Sequence, residues 1–476
     1  MVLRQINPVR DGEEKATHGG VVAAGGSSVL HRDLAHDFLP LKEGRGNHLV
    51  LDDGRKIFDA SGGAAVGCLG WGNERVAQAV MKQMLAMPYC ATIYYTTKVQ
   101  EELCRFLVDS TNGKMSRAYI VNSGSEAMEA AVKLARQYFL ELSPPQCQRT
   151  RFISRKQSYH GITLGALAVG GHQFRREKFK PLLMDNVTRI SPCNRYRGKK
   201  PGETDEAYIV RLAEELDQAF QAVGPETVCA FVAEPIVGAA LGCVPALPGY
   251  FKAMHAVCKK YGALLIFDEV MCGMGRSGTL HAWEQENVVP DIQTIGKCLG
   301  GGYQPVAGLL VNRRVVDVLM KGSSAFIHGH TYQGHPAGCA AALEVQRIIK
   351  EENLLRNVRA MGGLLSRRLK ERLGQHPNVG DIRGRGLFWG IEFVADKATK
   401  EPFPVHEHVA MAIAERGLKP EYGIGVYPGG GSADDCIRGD HIIISPAFNV
   451  SADEIEWIVE TVGRLIEDYF VDLLSR

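Results

Sequence analysis

The sequence predicts an α/β protein: a large, mostly parallel sheet covered by helices, followed by a smaller α+β lobe. Three observations carry that expectation. Between about residue 100 and residue 335, short apolar runs (Arg117–Val121, Arg151–Ser154, Val228–Ala233, Ala263–Phe267) alternate with stretches of helical period (Ser125–Leu142, Asp205–Ala222, Gly249–Tyr261). Such alternation builds parallel sheets with helices on both faces. After Pro336 the pattern changes to two long helices, ending near Glu352 and Leu373, then a strand pair and closing helices. The length of 476 residues, 45% of them apolar and 23% charged, suits one large or two to three ordinary globular domains. The expected division is an N-terminal arm and part of the small domain at 1–75, a large domain at 76–335 and a C-terminal small domain at 336–476.

Taken in order, residues 1–40 contain Gly and Ser with little periodicity and read as an arm. Two alternating runs within Asn47–Asp59 flank Asp53-Gly54, a strong hairpin signal. Ser61-Gly62-Gly63-Ala64-Ala65 follows, small and bendable, and from Glu74 to Met87 the residues Val76, Val80, Met84 and Met87 recur at helical spacing. The alternating region comes next, then the C-terminal lobe. No repeat of fixed period and no low-complexity tract is present.

Several function classes are disfavoured. Lys plus Arg number 55 and Asp plus Glu 53, so a net charge of +2 supplies no electrostatic reason for a nucleic acid or anionic membrane partner. The twelve cysteines form no Cys-x-x-Cys pair, and several lie in apolar segments, which suits a reducing, cytoplasmic compartment. Met1 to Ala24 has mixed charges without an apolar core, unlike a secretory signal. The longest low-charge stretch, Thr227 to Tyr250, is broken by Glu234, Pro235, Pro245 and Pro248, so no membrane helix is expected.

Four stretches have the residue types that chemistry needs. Asn122-Ser123-Gly124-Ser125-Glu126-Ala127 lies between a strand and a helix; its glycine and free N–H groups suit an anion such as phosphate, or a plain helix cap. Ser158-Tyr159-His160-Gly161 follows a strand, and its aromatic can stack on a flat ligand or simply pack at a turn. Leu264-Leu265-Ile266-Phe267-Asp268-Glu269-Val270 closes a buried-looking strand with two acids, which are costly there unless satisfied. A carboxylate at that place can bind a metal or hold a protonated ring nitrogen. Finally, Ile295-Gly296-Lys297-Cys298-Leu299-Gly300-Gly301-Gly302 sets a lysine at a strand end beside flexible backbone, as a Schiff-base nucleophile or an ordinary turn requires. His328, His330 and His335 sit in a Gly- and Pro-bearing loop without Cys or acids, so no metal site is assigned to them.

Taken together, the phosphate cradle, the aromatic, Asp268-Glu269-Val270-Met271-Cys272-Gly273-Met274-Gly275-Arg276-Ser277-Gly278 and Gly296-Lys297 resemble the class III (ornithine/omega-aminotransferase-like) pyridoxal-phosphate-dependent aminotransferases, over about Leu39 to the C-terminus. The resemblance implies fold type I, with 76–335 as the cofactor-binding domain, and a homodimer with active sites at its interface. It implies that Lys297 forms an aldimine with pyridoxal 5'-phosphate and that Asp268 pairs with the ring nitrogen. Ser123, Gly124 and Ser125 would hold the phosphate, with Thr331 reaching it from the neighbouring subunit; Tyr159, His160 and Val270 would contact the ring. Arg383 would bind a substrate carboxylate, with Arg385 as a weaker candidate and Tyr427 and Ala65 nearby in the substrate pocket. Ornithine-type relatives have glutamate where this chain has Ala239 and glutamine where it has Met271, so a donor with an apolar or weakly polar body is expected. Decarboxylation, racemisation or amine migration on the same fold is the alternative chemistry, and a catalytically inactive scaffold that binds the cofactor is the non-enzymatic one.

Overall fold

The structure is a computed structural model that describes residues 27–433 and 436–475. Most of the arm expected at 1–40 therefore lies outside the described residues; 27–40 carry almost no regular structure. Asp53-Gly54 turns the expected hairpin: His48–Leu51 pairs antiparallel with Lys56–Asp59, with Gly54 at φ 84, a value glycine adopts without strain. Leu41–Arg45 extends this sheet on one side and Ile424–Gly425 on the other. The N-terminal hairpin is thus tied to the C-terminal part of the chain.

The central sheet has seven strands in the order Met115–Val121, Ala307–Asn312, Ile292–Ile295, Leu264–Asp268, Val228–Ala233, Arg151–Arg155, Val187–Ile190. All run in one direction except Ala307–Asn312, which is antiparallel to both neighbours. Alternate side chains explain why the inner strands read as unbroken apolar runs. Val228, Phe231, Leu265 and Phe267 pack under helices Asp205–Val223 and Tyr250–Lys260. Cys229, Ala230, Val232, Leu264 and Ile266 pack on the opposite face, under helix Gly124–Leu140. A strand buried on both faces has no polar side to show in its sequence.

Helices Pro336–Glu351 and Leu354–Leu373 lead into a four-stranded sheet ordered Val379–Arg385, Phe388–Phe393, Asp440–Ile444, Tyr427–Gly430. Helix Ala452–Leu474 packs back against Leu354–Leu373, and their contacts merge with those of the N-terminal hairpin into one apolar core. No helix among the described residues is long and apolar enough to cross a membrane.

Candidate active site

The carboxyl ends of the parallel strands meet at one edge of the central sheet, where ligands of such sheets bind. Five of them deliver a polar group there: Val121 leads to Asn122–Ser125, Arg155 to Tyr159 and His160, Ala233 to Glu234, and Ile295 to Lys297, while Asp268 itself ends its strand. The reversed strand begins at this edge and contributes Pro305 and Val306 just before it. The cavity they line holds about 410 Å³ and also includes Val66, Gly161, Val270, Met271, Gly302 and Gln304.

At the cavity wall, Ser123 caps helix Gly124–Leu140 and forms a capping box with Glu126. Glu126 Oε2 accepts from the Asn122 and Ser123 N–H groups at 2.8 and 3.0 Å. The first-turn N–H groups of Gly124 and Ser125, which a helix cannot satisfy internally, remain at the lining. A side chain at 124 would collide with the wall: its Cβ would stand 2.7 Å from Val270 Cγ1. Ser125 Oγ accepts from Ile162 N at 3.0 Å, joining the cap to the Tyr159–Gly161 turn.

Asp268 is held by three donors. His160 Nδ1 lies 2.8 Å from Oδ2, while Val270 N and Thr294 Oγ1 donate to Oδ1 at 3.0 and 3.2 Å. His160 Nε2, on the far side of the ring, is buried without a hydrogen-bond partner. The second acid of the strand end serves structure instead: Glu269, fully buried, accepts from Ala282 N, Trp283 N and Gln293 Nε2 at 2.6, 2.8 and 2.9 Å.

Lys297 adopts φ 46, a left-handed conformation uncommon outside glycine. Its carbonyl is bound by Gly300 N and Gly301 N at 3.1 and 3.0 Å, so the glycine run holds the turn that aims the side chain. Desolvation pulls the Lys297 ammonium below the ordinary lysine range, with Asp268 and Glu234 opposing the shift. A lysine in that state has a larger neutral fraction at neutral pH.

Glu234 was not expected in the site. It accepts from Tyr159 N at 3.0 Å and Gly238 N at 3.1 Å, and it lines the cavity. Burial raises its carboxyl pKa; the nearby His160 opposes that shift and Asp268 adds to it. An acid directly after the apolar run Val228–Ala233 was the available signal, the same signal that marked Asp268.

None of the four expected substrate residues lines the cavity. Arg383 does not line the cavity, and its guanidinium is occupied: Nε donates to Gly242 O at 3.0 Å, Nη2 to Leu241 O, and Nη1 meets Asp381 and Glu392 at 3.1 and 2.5 Å. Three hydrogen bonds and the ion pair with Glu392 thereby hold the guanidinium, leaving no fork for a carboxylate. Arg385 is similarly held by Glu286 at 2.5 Å and Ala246 O at 2.8 Å. Ala65, with φ 61 and no exposed surface, turns beneath the wall, and its neighbour Val66 lines the cavity instead. Tyr427 packs, half-buried, against the cluster containing Met271 and Phe388. Thr331 is exposed and lies outside the cavity lining.

Comparison with known proteins adds the following. The family described as Aminotransferase class-III matches residues 30–466. A Gibberella zeae protein named aminotransferase is 55% identical over 92% of this chain and 85% of its own length. Gamma aminobutyrate transaminase 3 of Solanum lycopersicum is 35% identical over 90% of this chain and 81% of its own. Among solved structures, the omega transaminase of Pseudomonas jessenii in complex with PMP superposes with a TM-score of 0.84 at 32% identity, covering 91% of this chain and 93% of that one.

Proposed function

The chain belongs to the class III aminotransferases, fold type I enzymes that use pyridoxal 5'-phosphate to move an amino group between an amine or amino acid and an oxo acid, and on that premise we propose the roles of its own residues. The observation that carries them is Lys297, its pKa lowered by desolvation, in one cavity with the Asp268–His160 pair.

The cavity's residues fit the cofactor. The free N–H groups of Gly124 and Ser125 suit a phosphate, and the wall at Gly124 leaves no room for a side chain. Asp268, oriented by three donors, suits a protonated ring nitrogen. Tyr159, His160 and Val270 suit the ring faces and edge. Bound there, pyridoxal phosphate supplies a ring that accepts electrons from the reacting carbon.

The protein's part is then positioning and proton transfer. Ser123 fixes the helix start so that Gly124 and Ser125 present their N–H groups together. Asp268 would hold the cofactor's ring nitrogen, and His160 Nδ1, 2.8 Å from its Oδ2, restrains the carboxylate from rotating. Lys297 Nζ, neutral for part of the time, takes a proton from the substrate carbon and returns it. Glu234 fixes the Tyr159 backbone and with it the side chain over the cavity.

Met271, Val270, Val306 and Pro305 make much of the cavity apolar, which supports a donor with an apolar or weakly polar body. The homodimer is also our reading: Ile93, Tyr94, Tyr95, Ile327 and Tyr332 are exposed apolar residues, and Thr331 adjoins the last of them. A partner's Thr331 would then complete the phosphate site. The chain divides at 75 and 335 into arm with part of the small domain, cofactor-binding domain and small domain; the sheet joining the N-terminal hairpin to Ile424–Gly425 supports this. Twelve cysteines, all free, support a cytoplasmic setting. The test is Lys297→Ala, which should abolish amino transfer while the purified protein retains non-covalently bound cofactor. Retention of more than a few per cent of turnover would remove Lys297 from its role.

A further inference from the structure

Lys297 is followed by a thiol that amino transfer does not use. Cys298 Sγ donates to Ala65 O at 3.2 Å, and Cys68 Sγ donates in turn to Cys298 O at 3.5 Å. These contacts join the turn that aims Lys297 to the segment that brings Val66 to the cavity wall. Ala65 and Lys297, on the two sides of the junction, both hold left-handed backbone, at φ 61 and 46. Cys68 and Cys298 are 0 and 1% exposed, yet they stand only two residues and one residue from the lining residues Val66 and Lys297. Gly301, beside the lining residue Gly302, covers Cys68 without a side chain; a Cβ there would lie 3.3 Å from Cys68 Sγ.

A buried cation acts on the same two sulfurs. Arg276 has no exposed surface; its Nη1 donates to Leu387 O at 3.1 Å and Pro446 O at 2.5 Å, while Nε and Nη2 are left without a partner. A guanidinium cannot shed its charge, and the field of Arg276 favours the ionised form of both thiols. Burial raises the thiols of Cys193, Cys229, Cys258 and Cys339, as it does for ordinary core cysteines. Burial pushes Cys298 up too, but Cys68, Arg276 and Lys297 together draw it below the usual thiol range. Cys68 is raised, by its contact with Cys298 first and by burial second. One sulfur that ionises readily beside one that keeps its proton is the arrangement of an attacking and a resolving thiol.

We propose that Cys298 and Cys68 form an oxidative modification site, which hydrogen peroxide closes to a disulfide that displaces the Lys297 turn. The Cys298 thiolate attacks one peroxide oxygen; the O–O bond breaks, and the departing hydroxide takes up the proton that Cys298 gave up, leaving as water. The Cys68 sulfur then attacks the resulting sulfenic acid. An S–S bond forms, the S–O bond breaks, and hydroxide leaves with the Cys68 proton as a second water. The two thiols thus supply the two electrons that reduce one peroxide. Closure withdraws the Cys298 sulfur from Ala65 O and pulls on the backbone next to Lys297.

The effect on turnover rests on the Lys297 reading above, whereas the cross-link is read by mass alone. The holoenzyme is treated with graded hydrogen peroxide, its remaining thiols are alkylated after denaturation, and its peptides are mapped before and after dithiothreitol. Cys147, which is exposed, serves as the ordinary thiol in the same sample. A Cys68–Cys298 cross-linked peptide should accumulate at doses that leave most Cys147 open to alkylation. Turnover should fall with it by up to ~100-fold, the scale of a ~1 Å misplacement of a reacting group. Dithiothreitol should restore both. Cys68→Ser has no resolving thiol, so its Cys298 should pass on to the sulfinic acid, a loss that dithiothreitol does not reverse. Absence of the cross-link at the dose that consumes Cys147 overturns the proposal. So does a loss of turnover that Cys68→Ser suffers and recovers just as the wild type does. A cross-link that leaves turnover unchanged overturns the displacement of the Lys297 turn. A protein that cross-links as expected but whose untreated form moves no amino group would fail the Lys297 reading instead.

Discussion

The substitution Gly124→Ala isolates the fit between the phosphate wall and the rest of the cavity. Gly124 opens helix Gly124–Leu140 in an ordinary conformation, so alanine is tolerated by the backbone and even favoured by helix propensity, by up to ~1 kcal/mol. The obstacle is across the cavity wall. The new Cβ would stand 2.7 and 3.1 Å from the two methyl carbons of Val270, against a comfortable separation of about 3.5–4.0 Å. Val270 is β-branched, so few rotamers are open through which its methyls could swing away. Relief must come from shifting the Gly124–Ser125 turn or the Val270 backbone, at a cost of about 1–3 kcal/mol. A shift of either one disturbs the cofactor cradle, so the cofactor Kd should rise by ~5–150-fold. Equilibrium dialysis, with bound cofactor read by absorbance, measures this directly. Val270→Ala removes both methyls, so in its presence the added Cβ should cost much less. A double-mutant cycle should show a coupling of about 1 kcal/mol or more between the two positions. Wild-type affinity in Gly124→Ala, or additive losses in the double variant, would refute the steric argument.

Two further outcomes are expected. If Thr331 serves the neighbouring subunit, a mixture of Lys297→Ala and Thr331→Ala proteins, each weak alone, should regain activity through heterodimers with one intact site; no gain despite proven subunit exchange would place both residues in one subunit's site. Asp440, buried and accepting from Ala410 N at 3.0 Å, has its carboxyl pushed up to about 6 by desolvation. A carboxyl raised in the folded state destabilises the fold as pH climbs from ~4 to ~6 and holds that penalty above. Asp440→Asn should therefore be more stable than wild type at pH 7, by ~1–3 kcal/mol, with the gap closing near pH 4; denaturant midpoints at the two pH values would expose a gap that does not move.

The parts of this molecule that could be read in advance are those written in local signals. Val228–Ala233 has the same limits in the sequence and the structure, because an apolar run buried on both faces begins and ends abruptly. The Asp53-Gly54 hairpin is equally local. Helix Gly124–Leu140 starts one residue before the expected Ser125, because Ser123 rather than Ser125 is the cap. Lys297, Asp268, His160, Tyr159 and the Gly124 turn come together, as a parallel sheet requires of residues at its strand ends. What could not be read is pairing at a distance. Arg383 is withdrawn by Glu392, which faces Asp381 across the next strand, and that register is a tertiary fact.

The order of the central sheet has a consequence for how the chain is made. Met115–Val121 lies at one edge and bonds only to Ala307–Asn312, the last of the seven strands to leave the ribosome. At ~5–20 residues per second, synthesis leaves that first strand without its neighbour for on the order of ten seconds or more. Throughout that interval its hydrogen-bonding edges are open to other nascent chains. The anion cradle of Ser123–Ser125 hangs from the same strand, and Lys297 is made almost as late as the partner strand. Cofactor therefore cannot template the early stages of folding, and capture has to wait for a nearly finished sheet. A cell short of a holding chaperone should thus lose this protein through its newest copies, while those already complete stay in service.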